Sequence, residues 1–160
     1  MRIIDGSGGA GGLRIAIVVS KYNDFVTGRL EKGALAALAD AGVRDEEITV
    51  IRVPGAFEIP TTARLAAATH QFDAVVCLGC LIRGATPHFE YIAAAVAHGL
   101  TGAAGESGVP MAFGVLTTNS AEEALERAVD GPSNKGWEAA TAAIEMALVV
   151  SELSRDQSAT

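Results

Sequence analysis

Four short stretches rich in Val, Ile and Leu recur along the chain, at Leu13 to Val19, Ile48 to Val53, Ala74 to Ile82 and Met111 to Leu116. Runs of this length and composition read as strands buried on both faces. Helical spacing fills the gaps between them. The first helical stretch carries Val26, Leu30, Ala34 and Leu38 and stops at Gly42, and the second opens with Pro60 and reaches about Thr69. The third opens at Pro87 and carries Phe89, Ile92, Val96 and Leu100. After the fourth strand, Ser120 with Glu123 spells a capping box for a helix expected to end near Gly131-Pro132, and a last alanine-rich helix runs from Lys135 to Leu153.

Strand and helix thus alternate four times, which calls for a parallel sheet with helices on both faces: an α/β, flavodoxin-like three-layer sandwich with four strands. Residues 13–153 are expected to form one domain, with residues 1–12 a flexible lead-in and 154–160 a tail. Ligands of such sheets bind beyond the carboxyl ends of the strands. The segments to inspect are therefore Ser20 to Asp24, Pro54 to Pro60, Gly79 to His88 and Gly114 to Asn119.

Composition narrows the chemistry. With 12 basic and 19 acidic residues among 160, the net charge of -7 and the lack of any basic run argue against nucleic acid or an anionic membrane as partner. An anionic substrate must then be held by a few placed cations and backbone N–H groups. The opening residues resemble no targeting signal and no apolar run approaches a membrane span, so a cytoplasmic location is expected. Cys77 and Cys80 spell C-x-x-C, but three apart on a strand they face opposite sides, and two packed thiols are expected rather than a metal or redox pair. The G-x-G-x-x-G within Gly6 to Gly12 precedes the first strand, where a dinucleotide fingerprint must follow one.

Arg83-Gly84-Ala85-Thr86-Pro87-His88 is the richest segment. Small residues, a hydroxyl and an imidazole at a helix start suit a phosphate and a proton-transfer step, although an ordinary turn capped by Thr86 uses the same residues. His70 and His98 are read as surface residues at helix ends. The loop from Pro54 to Pro60 can hold Phe57 and Glu58 in a fixed pose, or serve as an apolar plug with a solvated carboxylate. Tyr22 offers a ring for stacking and Asn23 an amide for a heterocycle edge; Phe113 is a second ring or a core residue. Arg127 and Lys135 are the remaining candidates for binding a dianion.

Taken together and in this order, these elements resemble the lumazine synthase family from Leu13 to Leu153. The resemblance rests on Lys21-Tyr22-Asn23, Val53 through Pro60, Leu81 through Phe89, Phe113 through Asn119, Glu126-Arg127-Ala128 and Asn134-Lys135-Gly136. It implies a transferase that condenses 5-amino-6-ribitylaminouracil with 3,4-dihydroxy-2-butanone 4-phosphate, giving 6,7-dimethyl-8-ribityllumazine, phosphate and water, with no cofactor and no metal. By matching positions, Tyr22 stacks on the pyrimidine, and Ala56, Phe57, Glu58, Cys80, Leu81 and Ile82 hold its ring and ribityl chain. Ala85 and Thr86 cradle the phosphate, Arg127 pairs with it, Lys135 stands nearby, and His88 transfers protons. The resemblance further implies a homopentamer whose site lies between subunits, with Phe113, Arg127 and Lys135 supplied by the neighbour. Twelve pentamers closing into a capsid, and riboflavin synthase as a partner, are also implied. The compact kink at Gly131-Pro132 is similar to that of shell-forming members. Position 22 is Tyr where Phe or Trp is also used, and Cys80 occupies a variable position; stacking and backbone contacts survive both. The archaeal type of riboflavin synthase and a flavin-binding or shell-forming homologue without this activity are the competing readings.

Overall fold

A computed structural model of the chain describes residues 1–159. Four parallel strands, β1 (Ile15–Ser20), β2 (Ile48–Val53), β3 (Ala74–Ile82) and β4 (Met111–Thr118), form one sheet in the order β2-β1-β3-β4. Helices α1 (Asp24–Asp40), α4 (Ala121–Glu126) and α5 (Lys135–Ser158) cover one face, and α2 (Ile59–Ala68) and α3 (His88–Ser107) cover the other. The α/β three-layer sandwich expected from the alternation is what the chain adopts. Alternation within β1 sorts the two cores: Ile15, Ile17 and Val19 pack toward α1 and α5, whereas Ala16 and Val18 pack toward α2 and α3. Each fully buried Leu or Ile here contributes roughly 1.5–3 kcal/mol by leaving water.

Central and edge strands differ. All of β1 and most of β3 are buried, but β2 exposes Thr49 and Arg52 at its edge, and β4 exposes Phe113 and Thr117 at the other. The reading of all four as fully buried is corrected accordingly, because only the two central strands have a neighbour on each side. β4 also continues two residues beyond Leu116, since Thr117 and Thr118 pair with Leu81 and Ile82.

Helix ends depart from the sequence expectation where distant contacts decide them. Ser120 Oγ accepts from Glu123 N at 3.2 Å as expected of the cap, but α4 stops at Glu126 rather than near Gly131-Pro132. The chain turns back there: Lys135 N donates to the Arg127 carbonyl at 2.9 Å, and Asn134 N donates to Gly131 O at 3.0 Å. Helix α3 starts behind Pro87 with no side-chain cap, so Thr86 does not cap it. His98 lies inside α3, which continues to Ser107 and ends at Gly108 in the left-handed conformation (φ 71°). Gly102 and Gly105 dilute the apolar pattern that would have announced this extension. His70 does follow the end of α2, itself left-handed at φ 57°.

Two further features brace the frame. Residues of the lead-in lie along α5, with Ala10 buried and the Arg2 guanidinium donating to Asp156 at 2.7 Å and Glu152 at 3.2 Å. At the start of α5, the helix crosses α1 so closely that a Cβ on Gly136 would strike the Leu30 carbonyl. Gly33 faces Asn134 in the same way. That approach seats Asn134, only 1% exposed, between the two helices. Its Oδ1 accepts from Gly136 N at 2.7 Å and Trp137 N at 3.3 Å, while its Nδ2 donates to Arg29 O at 3.2 Å.

Candidate functional site

Beyond the carboxyl ends of β1, β2 and β3 opens a cleft of about 480 Å³, lined by Tyr22, Asn23, the loop from Pro54 to Glu58, Cys80 to Ile82, Gly84, Thr86, His88, Phe89 and Ile92. Backbone pairing continues past the strands and shapes it: Lys21 N donates to Val53 O at 2.8 Å and Tyr22 N to Pro54 O at 3.0 Å. The two ring-bearing loops are thereby held side by side. Asn23 turns the chain in the left-handed conformation (φ 62°), a place its short amide tolerates. From there its Nδ2 donates to the Cys80 carbonyl at 2.9 Å, tying the end of β1 to the end of β3.

Tyr22 is 72% and Phe57 62% exposed, so two large rings flank the cleft with most of their surface in water. Apolar surface left uncovered in this way marks a place where a ligand or partner adds contact. Ala56 is buried at the base of its loop, Glu58 N donates to Gly55 O at 3.2 Å, and Thr62 Oγ1 donates to Glu58 O at 3.0 Å. The loop between the two prolines is consequently a short helical turn with a defined shape. The thiol of Cys80 packs toward α1 and α5, where burial pushes its pKa up to about 11. Cys77 packs on the opposite face and is pushed up to about 12, again by burial. Both thiols are free and protonated at neutral pH, so neither is poised as a nucleophile.

Across the cleft, His88 is the first residue of α3, and the exposed turn before it presents Gly84, Ala85 and Thr86. The backbone N–H groups of these three find no protein acceptor among the described residues. Free donors ahead of a 20-residue helix are what an anion requires. Thr86 and His88 line the cleft directly, whereas Ala85 sits in the turn just outside the lining.

The other three residues singled out in the sequence lie elsewhere. Phe113, Arg127 and Lys135 line a second cleft of about 410 Å³, formed by β4, the end of α4 and the start of α5. Phe113 is 51% exposed on the edge strand, a ring facing outward rather than a core residue. Arg127 Nη1 donates to the Glu123 carbonyl at 2.9 Å and has no carboxylate partner among the described residues. Lys135 Nζ pairs with Glu138 at 2.8 Å. Glu138 was not anticipated, although its i,i+3 spacing from Lys135 is the signal that could have found it. Pro54, Gly55, Gly84, Phe89 and Ile92 also line the cleft, beyond the residues that the sequence pattern points to. No group of three His, Cys, Asp or Glu could hold a metal ion among the described residues, and no helix there is long and apolar enough to cross a membrane.

The pattern of the 6,7-dimethyl-8-ribityllumazine synthase family matches residues 12–151, from the end of the lead-in to the last third of α5. The chain belongs to that family. A 6,7-dimethyl-8-ribityllumazine synthase of Syntrophus aciditrophicus (strain SB) is 53% identical over 137 residues, which cover 86% of this chain and 89% of that protein. Membership makes the chain a lumazine synthase by function, a transferase of riboflavin biosynthesis acting on small molecules. Every segment on which the sequence resemblance rests falls within the matched residues, and both clefts are built from them.

Proposed function

We propose that the first cleft, completed by the second cleft of a neighbouring copy, condenses 5-amino-6-ribitylaminouracil with 3,4-dihydroxy-2-butanone 4-phosphate to 6,7-dimethyl-8-ribityllumazine. The observation that carries this reading is the division of the candidate residues. His88 and the free N–H groups occupy one cleft, while Arg127 and Lys135 occupy another on the same chain. A dianion needs donors and cation together, and two copies brought edge to face supply both.

In this reading the pyrimidine stacks against Tyr22, with Phe57 and the backbone at Cys80, Leu81 and Ile82 along its ring and ribityl chain. Asn23 positions the end of β3, and Ala56 and Glu58 shape the opposing loop. The phosphate lies at Ala85 and Thr86, paired with Arg127, with Lys135 beside it and Phe113 closing the wall. The amino group of the pyrimidine adds to the ketone and loses water to give an imine. Phosphate then leaves, and the second ring closes with loss of water. Each step moves protons, which His88 relays between two substrates held in contact. No group other than the two substrates has to supply electrons.

A shared site requires an oligomer, for which a homopentamer is the state we propose. The exposed ring of Phe113 on an edge strand supports an interface there. The tight turn at Gly131, closed by Asn134 N, supports further assembly of pentamers into a capsid. Riboflavin synthase, which consumes the product, is the partner this assembly would accompany. Two unpaired thiols fit a reducing cytoplasm. The test is an assay of the purified protein with both substrates, following the lumazine by its absorbance, alongside light scattering. Product from a particle of several subunits is expected; full activity in a monomer would overturn the shared site.

A further inference from the structure

Arg83 is left without a task in the reaction above, yet it contacts three elements around the His88 turn. Its backbone N–H donates to Thr118 O at 2.8 Å, continuing the β3–β4 pairing beyond Ile82. Its Nε donates to Asn119 Oδ1 at 3.0 Å, its Nη1 pairs with Glu90, and its guanidinium carbon lies 4.7 Å from the centre of the Phe89 ring. Asn119 is itself held, because its N–H donates to the Glu123 carboxylate at 2.9 Å.

Between Arg83 and these partners runs the turn whose Gly84, Ala85 and Thr86 N–H groups are unbonded and whose helix lacks a side-chain cap. Inside the turn only Pro87 restrains the backbone, and no hydrogen bond does. We infer that Arg83 is a positioning residue that latches this turn, joining its entry to the first turn of α3 and to the loop after β4, so that the free N–H groups and His88 are aimed before substrate arrives. The latch needs a planar fork: one guanidinium bonds Asn119 and Glu90 at once while lying over Phe89, which a lysine ammonium cannot do. Its charge is already matched by Glu90, so it is not a further cation for the phosphate. A turn ordered in advance loses less freedom on binding and binds more tightly.

This inference rests on the phosphate assignment proposed above, and inorganic phosphate, a product of the reaction, is the probe that separates the two. Phosphate inhibition and the KM of each substrate are measured for the wild type, Arg83→Lys, Arg83→Gln and Arg127→Ala. Both Arg83 variants should fold and assemble normally, since the side chain is half-exposed. They should weaken phosphate inhibition and raise the KM for the butanone phosphate by about five- to tenfold, the scale of one misaligned hydrogen bond. The pyrimidine KM should stay unchanged. Asn119→Ala should add little when combined with Arg83→Gln, because both cut the same tether. Wild-type behaviour of Arg83→Lys would overturn the latch by showing that charge alone suffices. Phosphate inhibition lost only in Arg127→Ala would also overturn the latch while leaving the phosphate assignment standing. Inhibition unchanged in all three variants would overturn both.

Discussion

The two clefts are built on opposite plans. Around His88, an exposed turn carries unbonded backbone donors beside the cavity, flanked by rings that stand in water. Around Arg127 and Lys135, the backbone is clamped: Asn134 is buried between α1 and α5, and Lys135 N is bonded to the Arg127 carbonyl. Such a difference suits a division of labour in which one wall offers donors to whatever binds and the other delivers cations from a rigid mount. It also explains why Gly33 and Gly136 sit where they do, since only glycine lets the two helices approach closely enough to enclose the clamp.

The comparison breaks most visibly at His88. Replacing it with Ala should slow turnover by roughly ten- to ten-thousandfold, the span expected for one general acid-base group, with the lower end favoured because two substrates held in contact retain reactivity. Steady-state turnover at saturating substrate checks this, and an unchanged value would make His88 structural. Arg127→Ala comes next. Losing a charge-assisted hydrogen bond of about 1.5–3 kcal/mol should weaken the apparent affinity for the butanone phosphate by about ten- to a hundredfold and leave the pyrimidine nearly untouched. Varying each substrate in turn is decisive, and equal effects on both would remove the phosphate assignment.

Asn134→Ala sharpens the contrast from the other side. It removes the cap of α5 and the tie from its side chain to the Arg29 carbonyl of α1, so stability should fall by about 1–3 kcal/mol, read by denaturant midpoint. Mutations in the open turn, such as Thr86→Ala, should scarcely move that midpoint, because Thr86 makes no hydrogen bond among the described residues.

At neutral pH the smallest effect concerns the thiols. Burial raises both pKa values in the folded state, to about 11 for Cys80 and about 12 for Cys77, above those of the unfolded chain. Their contribution to stability is therefore whole below the ordinary thiol range and declines as pH climbs through it, by about 1.4 kcal/mol per pH unit for each thiol. Replacing both with Ala should flatten the fall of melting temperature between neutral and strongly alkaline pH. An identical alkaline slope in that variant would assign the loss to other groups.

Much of this architecture was legible beforehand. Ile48–Val53 and Ala74–Ile82 coincide with the strands because they are short runs rich in Val, Ile and Leu, and Cys77 and Cys80 divide between the two cores as strand geometry requires. What escaped depends on contacts between distant residues. The end of α4 is decided by the bond from Lys135 to Arg127, and no local pattern encodes it. The pattern points to a helix end at His98 because glycines obscure the second half of α3. The composition around Arg83 to His88 announced a binding segment, but the direction taken by the Arg83 side chain follows from where Asn119 and Glu90 arrive in space. Separation of Arg127 and Lys135 from His88 follows likewise from the strand order β2-β1-β3-β4, which periodicity does not reveal.

One experiment addresses the shared site directly. His88→Ala and Arg127→Ala are purified separately, dissociated, mixed in equal amounts and reassembled, and activity at butanone phosphate well below its wild-type KM, where Arg127→Ala alone is weak, is compared with each variant reassembled alone. If one copy supplies His88 and its neighbour Arg127, mixed particles contain some intact sites, and activity should rise well above that of either parent toward about a quarter of wild type, the share expected when neighbours pair at random. Activity no higher than the average of the two parents would place both residues in a site belonging to a single chain, contradicting the account.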